Sequence, residues 1–305
     1  MKPIRQFTIA LLMIAVMGPG YAQDSWLSTP ESITAFRDKV EAARPVPSSY
    51  DLERIEDRTV ALDGRDIGIR IYDPGGNVPK PTLIYVHGAC LVAGSLDSHD
   101  EISRYLAKKS SSMVIAIDYR LAPEHQYPAA HNDVYDVVQW VWNNSEALGV
   151  DRERFGISGE SSGAYFAAAT ALRNVDESAG PVFSFLLLVY AVVDGDISSG
   201  SACKNHYFEN QEDSVSRYGS PLRVDDLANM PRTYNIYGEE EGVRADQELF
   251  MEKLRKSGVE TKAYMVEGVG HDVYTWLAAK EGVVAHEMAI RFIEMGFSED
   301  NESKR

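Results

Sequence analysis

Arg154 to Leu172 reads RFGISGESSGAYFAAATAL, and its change of character at the centre decides the fold. Arg154 to Ser158 suits a short strand, and the alanine-rich run from Ser162 to Leu172 suits a helix. Between them Gly159-Glu160-Ser161-Ser162-Gly163 forms a G-x-S-x-G turn. A serine on such a turn is forced outward, and glycines two positions to either side relieve the crowding. The helix beyond it aims its first backbone N–H groups at any negative charge that develops beside Ser161. A plain structural reading fits the same five residues, with the glycines shaping a βα loop and Ser161 capping the helix. The rest of the chain has to separate the two.

Outward from this turn, strands and helices alternate. Arg58 to Leu62 and Asp66 to Tyr72 flank Asp63-Gly64 as a β-hairpin. Thr82 to Val86 is a continuously apolar strand, followed by a helix near Glu101 to Lys109, a strand at Met113 to Ile117 and a helix from about Ala129 to Asn143. Beyond the turn come a strand at Phe183 to Tyr190, a strand at Thr233 to Tyr237 and a helix from Arg244 to Lys256 stopped by Gly258. A strand at Thr261 to Val266 and a helix over roughly Glu281 to Met295 complete the series before a charged tail. This βα alternation predicts an α/β fold with a mostly parallel central sheet and helices on both faces. Pro30 to Ala43 reads as a helix ahead of Arg44-Pro45-Val46-Pro47, and Asp194 to Asp226 as a polar crossover. Residues 23–50 and part of 194–226 are therefore the candidate lid segments.

The 305 residues are 44% hydrophobic and 25% charged, enough apolar chain for one domain over 23–305. A net charge of −16, from 46 acidic and 30 basic residues, speaks against nucleic acid or an anionic membrane as partner. Lys2 and Arg5, the apolar stretch Phe7 to Met17, and Gly20-Tyr21-Ala22 have the pattern of a cleaved export signal over residues 1–22. The expected mature chain is periplasmic or secreted, with no stable membrane partner after cleavage; the rival reading is an uncleaved anchor. In an oxidising compartment Cys90 and Cys203 can form one disulfide, and two free buried cysteines are the equal alternative. Neither HExxH nor paired-cysteine zinc spacing occurs, so no metal and no cofactor is implied. The oligomer is left open, a homodimer included.

His87-Gly88-Ala89-Cys90-Leu91 follows the buried strand, and thirty residues later stand DYRLAPEH, Asp118 to His125, and Tyr127-Pro128-Ala129-Ala130. From about Val60 to Phe297 the chain resembles the hormone-sensitive-lipase-like esterases, the α/β-hydrolase fold-3 group. The resemblance implies an α/β-hydrolase fold with a small helical lid. It also implies an oxyanion hole from the backbone N–H groups of Ala89, Cys90 and Ser162. His87, Gly88 and Glu160 become the supporting loop, and Arg120 and Glu124 an architectural pair. The family has glycine at the positions of Ala89 and Cys90. An added Cβ is tolerated at negative φ, so negative φ is expected at both, with the Cys90 side chain finding space near the acyl group. Narrower acyl specificity or weaker activity is the expected symptom.

A serine hydroxyl needs an imidazole to take its proton, and the imidazole needs an acid to fix its tautomer. In this fold the chain order is serine, acid, histidine. Gly268-Val269-Gly270-His271-Asp272 places His271 in a glycine-rich loop after the last strand, with Tyr274 and Trp276 nearby to line a pocket. Where the family carries its acid, this chain has Tyr237-Gly238-Glu239-Glu240-Glu241-Gly242-Val243-Arg244, and aligning Val243-Arg244 with the family's Leu-Arg step selects Glu241. Glu239, Glu240 and Asp246 compete with it, as does a plain acidic flank to the next helix. Together Ser161, His271 and Glu241 point to acyl transfer on a small-molecule ester of short to medium acyl length. A carbohydrate deacetylase, lactonase or amidase would use the same three groups, and a binding protein on the same scaffold is the reading from another class.

Overall fold

In the computed structural model, residues 27–42, 50–178, 180–271 and 280–298 are described. The export segment 1–22, the breaker run 44–47, the pocket residues Tyr274 and Trp276 and the charged tail lie outside them.

The hairpin around Asp63-Gly64 forms as β1 (Arg54–Leu62) and β2 (Arg65–Asp73), paired antiparallel from Arg54 opposite Asp73 to Leu62 opposite Arg65. It docks antiparallel, through β2, on β4 (Met113–Asp118). From there the sheet is parallel: β4 beside β3 (Lys80–Val86), then β5 (Val150–Glu160), β6 (Phe185–Val189), β7 (Thr233–Gly238) and β8 (Thr261–Val266). The full order is β1-β2-β4-β3-β5-β6-β7-β8. β6 explains its own central place, because Phe185-Leu186-Leu187-Leu188-Val189 is buried at all five positions. Burying each such side chain is worth about 1.5–3 kcal/mol, more than the roughly 1–2 kcal/mol lost in ordering its backbone.

Helices cover both faces. On one side lie α3 (Ala129–Asn143), α5 (Ser162–Glu177) and α8 (Arg244–Lys256), through Val134, Val138, Ala164, Ala168, Phe250 and Leu254. On the other lie α2 (Asp100–Ser110) and α9 (Lys280–Ser298), through Ile102, Leu106, Ala289 and Ile293. A four-residue helix, α4 (Ser145–Leu148), leads into β5. The polar crossover after β6 folds into two short helices, α6 (Ala202–Tyr207) and α7 (Gln211–Ser214), and Arg223 clamps it by pairing with Asp194 at 3.0 Å and Asp196 at 2.5 Å.

The amino-terminal helix α1 (Pro30–Ala42) belongs to this body. Ile33 is buried, and the Arg37 guanidinium donates to the carbonyls of Val92 at 2.7 Å and Ala122 at 2.9 Å. The carbonyl of Leu27, just ahead of α1, meets His206 Nε2 of α6 at 2.6 Å, so the two candidate lid segments touch.

Arg120 and Glu124 do not pair with each other, contrary to expectation. Arg120 donates to Asp133 of α3 from Nε at 2.8 Å and Nη2 at 2.9 Å. Glu124 pairs instead with Arg37, whose hydrogen bond outweighs burial and draws the carboxyl pKa down to about 2. Burial decides the exchange: the Asp133 side chain has no exposed surface and needs its counter-charges, Arg120 and Arg65, whereas Glu124 is more than half exposed.

Candidate active site

The ends of β3 and β5 meet where the strand order reverses, which is where open α/β sheets bind their ligands. β5 ends in the turn, with Ser161 at φ 52° and ψ −118°. A Cβ on Gly159 would stand 2.4 Å from the Gly163 carbonyl carbon, and one on Gly163 would stand 2.0 Å from the Val86 carbonyl oxygen. Both contacts are with backbone, so only glycine fits. Ser161 makes no side-chain cap on α5, which removes the helix-capping reading of the motif. Its Oγ lies 2.8 Å from His271 Nε2 instead.

His271 follows β8, and its Nδ1 lies 3.5 Å from Glu241 Oε2, at the outer edge of hydrogen-bonding distance. Glu241 follows β7 with its side chain fully buried. Its Oε1 accepts from the Gly238 N–H at 2.5 Å and its Oε2 from Gln247 Nε2 at 2.7 Å. Gln247 of α8 is itself fixed by accepting the Ala191 N–H at 3.1 Å. The Tyr190 ring stands edge-on to His271, centroids 4.8 Å apart. The rival carboxylates are engaged elsewhere: Glu239 and Glu240 are exposed, Glu239 accepting the Gly268 N–H, and Asp246 feels Asp194, Lys204 and Arg223, its pKa raised mainly by burial. A neutral His271 that turns Nδ1–H toward Glu241 presents the Nε2 lone pair to the Ser161 hydroxyl.

The loop after β3 contradicts the expected backbone. Ala89, Cys90 and Leu91 stand at φ 86°, 64° and 67°, all positive, where an L-residue costs about 1–2 kcal/mol. The cause is the tight path of the loop. The Leu91 N–H reaches Ser162 Oγ at 3.3 Å, the Leu91 carbonyl accepts the Ala122 N–H at 3.1 Å, and the Ala89 carbonyl accepts the Ala93 N–H at 3.1 Å. Cys90 does not spend its side chain beside an acyl group, for it is disulfide-bonded to Cys203 of α6, Cα atoms 5.1 Å apart. Two free cysteines are thereby excluded. Among the described residues the N–H groups of Ala89 and Cys90 meet no acceptor. Ser162, the first residue of α5, directly follows the nucleophile.

Behind the loop stands a buried carboxylate. Glu160 accepts the Gly88 N–H, faces His99 Nε2 at 3.0 Å and accepts the Tyr190 hydroxyl at 3.0 Å. Burial alone would raise its pKa, but His99, Gly88 and Tyr190 outweigh that and hold it below the ordinary value. His87 Nδ1 lies 3.0 Å from the Gly88 carbonyl, and its ring stacks with those of Tyr119 and His99. Burial, with His99 second, pushes its pKa down to about 3, so the ring is neutral. The residues assigned from the sequence to the catalytic, oxyanion and supporting sets stand in three groups: Ser161, His271 and Glu241; Ala89, Cys90 and Ser162; His87, Gly88 and Glu160. Gln247, Tyr190 and His99 were not foreseen. Only the need of a buried Glu160 for partners signalled any of them.

A serine on a strand-to-helix turn, a histidine after the last strand and a buried carboxylate after the strand before it are the arrangement of a serine hydrolase. The chain belongs to the alpha/beta hydrolase fold family, matched over residues 83–275, in its hormone-sensitive-lipase-like group. It is 28% identical to an arylesterase of Saccharolobus solfataricus, across 75% of this chain and 79% of that protein. It is 30% identical to the esterase LipI of Mycobacterium tuberculosis, across 80% and 82%. Among solved structures it is similar to the hyperthermophilic esterase of Pyrobaculum calidifontis, with a TM-score of 0.84 and 28% identity over 96% of this chain and 99% of that one.

Proposed function

We propose that this chain is a serine carboxylesterase that hydrolyses short- to medium-chain acyl esters through an acyl-enzyme. The observation that carries the reading is the 2.8 Å contact of Ser161 Oγ with His271 Nε2, backed by buried Glu241. Ser161 Oγ attacks the ester carbonyl while its proton passes to His271 Nε2, and Glu241 stabilises the imidazolium that forms. The negative charge on the tetrahedral oxygen is met by the N–H groups of Ala89, Cys90 and Ser162. The tetrahedral intermediate collapses, the C–O bond to the alcohol breaks, and the leaving oxygen takes the proton from His271. A water then gives its proton to His271, attacks the acyl carbon and releases the acid, and Ser161 recovers its hydrogen. In this reading the candidate lid segments, which meet at Leu27 and His206, cover the acyl site.

The working compartment in this reading lies outside the cytoplasm. Two features support it: the export pattern of residues 1–22, and the Cys90–Cys203 disulfide, which persists where thiols are oxidised.

Hydrolysis of p-nitrophenyl esters from acetate to palmitate tests the activity. The purified protein is expected to favour the short chains, and Ser161→Ala to lose about 10⁴-fold or more in kcat. Folded protein inactive at every chain length, or an S161A variant that still turns over, overturns the reading. Glu241→Ala is expected to lower kcat by about 10²–10⁴-fold, and near-normal turnover would remove Glu241 from its role.

A further inference from the structure

Ala89, Cys90 and Leu91 run in succession through left-handed backbone, the region that glycine enters freely and other residues enter only where their surroundings over-determine them. The two ends of this run are held by hydrogen bonds. Gly88 is tied to Glu160, and Leu91 is tied through its N–H to Ser162 and through its carbonyl to Ala122. In the middle, Cys90 has a covalent tie, the disulfide to Cys203. The far end of that tie is a fixed post. Cys203 lies on α6, whose last residue, Tyr207, is fully buried. The Tyr207 carbonyl accepts the Tyr127 N–H at 2.8 Å, and its hydroxyl meets His131 Nδ1 at 2.7 Å.

We infer that the Cys90–Cys203 disulfide is a positioning element for the oxyanion hole. It holds Ala89 and Cys90 in the left-handed backbone that presents their N–H groups, work that glycine does elsewhere without a cross-link. The inference rests on the reading of Ala89 and Cys90 as oxyanion donors. Cys203 touches no reacting atom in this account and acts only through Cys90. Because oxyanion donors act on charge that exists only in the transition state, loosening them lowers kcat and leaves KM nearly unchanged. A dithiol reagent should do the same to the wild type. Two electrons pass from the reagent to the disulfide, the Sγ–Sγ bond breaks, each sulfur ends as a thiol, and the reagent closes to its own cyclic disulfide.

The test compares wild type, Cys203→Ser and the double variant Cys90→Gly/Cys203→Ser on p-nitrophenyl acetate, with folding checked by circular dichroism and Ser161 by fluorophosphonate labelling. C203S is expected to lose about ten- to hundredfold in kcat, somewhat less than outright removal of an oxyanion donor. Its KM should stay within about twofold of wild type. Dithiothreitol should slow the wild type to a similar degree and leave C203S unchanged. The double variant should regain most of the lost kcat although it has no bridge, because glycine adopts the same φ unaided. Rescue by glycine is the outcome that a bridge serving stability alone would not give. Folded C203S with wild-type kcat overturns the inference, as does a folded double variant no faster than C203S. If C203S does not fold, the reduced wild type and the double variant decide by the same criteria. Failure of the esterase reading looks different, since wild type itself would then neither label nor hydrolyse.

Discussion

The nucleophile turn and the oxyanion loop both leave a strand in left-handed backbone, and they are secured in opposite ways. At the turn one residue, Ser161, takes positive φ, and its neighbours Gly159 and Gly163 are pressed against backbone that leaves no room for a Cβ. In the loop three residues take positive φ, all of them carry a Cβ, and the support comes from far along the chain, from Glu160 and Cys203. The turn is a local solution that small residues make possible. The loop is a long-range one, and it depends on the rest of the fold being in place.

A methyl group should therefore destabilise at both places, heavily at the turn and slightly in the loop. Gly163→Ala puts a Cβ 2.0 Å from a backbone oxygen, and overpacking that cannot relax is expected to cost about 3 kcal/mol or more. Thermal unfolding should shift down by about 6–12 °C, and an unchanged midpoint would break the account of the turn.

The support of the loop should also be sensitive to acid. His87 behind the loop and His131 beside Tyr207 are both held neutral, burial pushing each pKa down to about 3. Below about pH 6.5 the unfolded chain takes up protons that these folded rings refuse, so the histidine contribution is complete above that pH and is lost as pH falls toward 3. The Glu160 carboxyl, held below its ordinary value, adds a loss of the same sign at lower pH. Between pH 6 and pH 5 stability should drop by about 2–3 kcal/mol, read as a falling unfolding midpoint. His131→Phe should flatten that slope, and a flat wild-type profile would contradict the burial argument.

The smallest effect is expected at Ala89. Ala89→Gly removes the left-handed penalty but frees the unfolded chain, so the net gain is about 0.5 kcal/mol and the midpoint rises by about 1–2 °C. A fall in the midpoint would show that the Ala89 methyl packs to more effect than its backbone strains.

The same division explains what the sequence made legible. The β5-turn-α5 unit, the apolar strands and the glycine-rich loop of His271 are read from neighbouring residues, and they appear where expected. Chain order narrowed the acid to the residues after β7, and only the alignment of Val243-Arg244 with the family's Leu-Arg step selected Glu241 among Glu239, Glu240 and Asp246. Residues that meet only through the fold were not. The pairing of Asp133 with Arg120 depends on how deeply α3 is buried, and the contact of Gln247 with Glu241 on the angle at which α8 leaves its loop. The sign of φ at Ala89 and Cys90 was misjudged for the same reason. Side-chain identity disfavours positive φ there, and the contacts that accompany it, to Ser162, Ala122 and Cys203, lie far along the chain.

That cross-link also makes the chain a closed ring from residue 90 to residue 203, with Ser161 inside it and Glu241 and His271 outside. Val182, well exposed between α5 and β6, offers a protease a point of entry within the ring. A cut there opens the ring without releasing anything: the segment bearing Ser161 stays fastened to the segment bearing its acid and base. A single nick there becomes a bend in the path of the chain and not a separation of its parts.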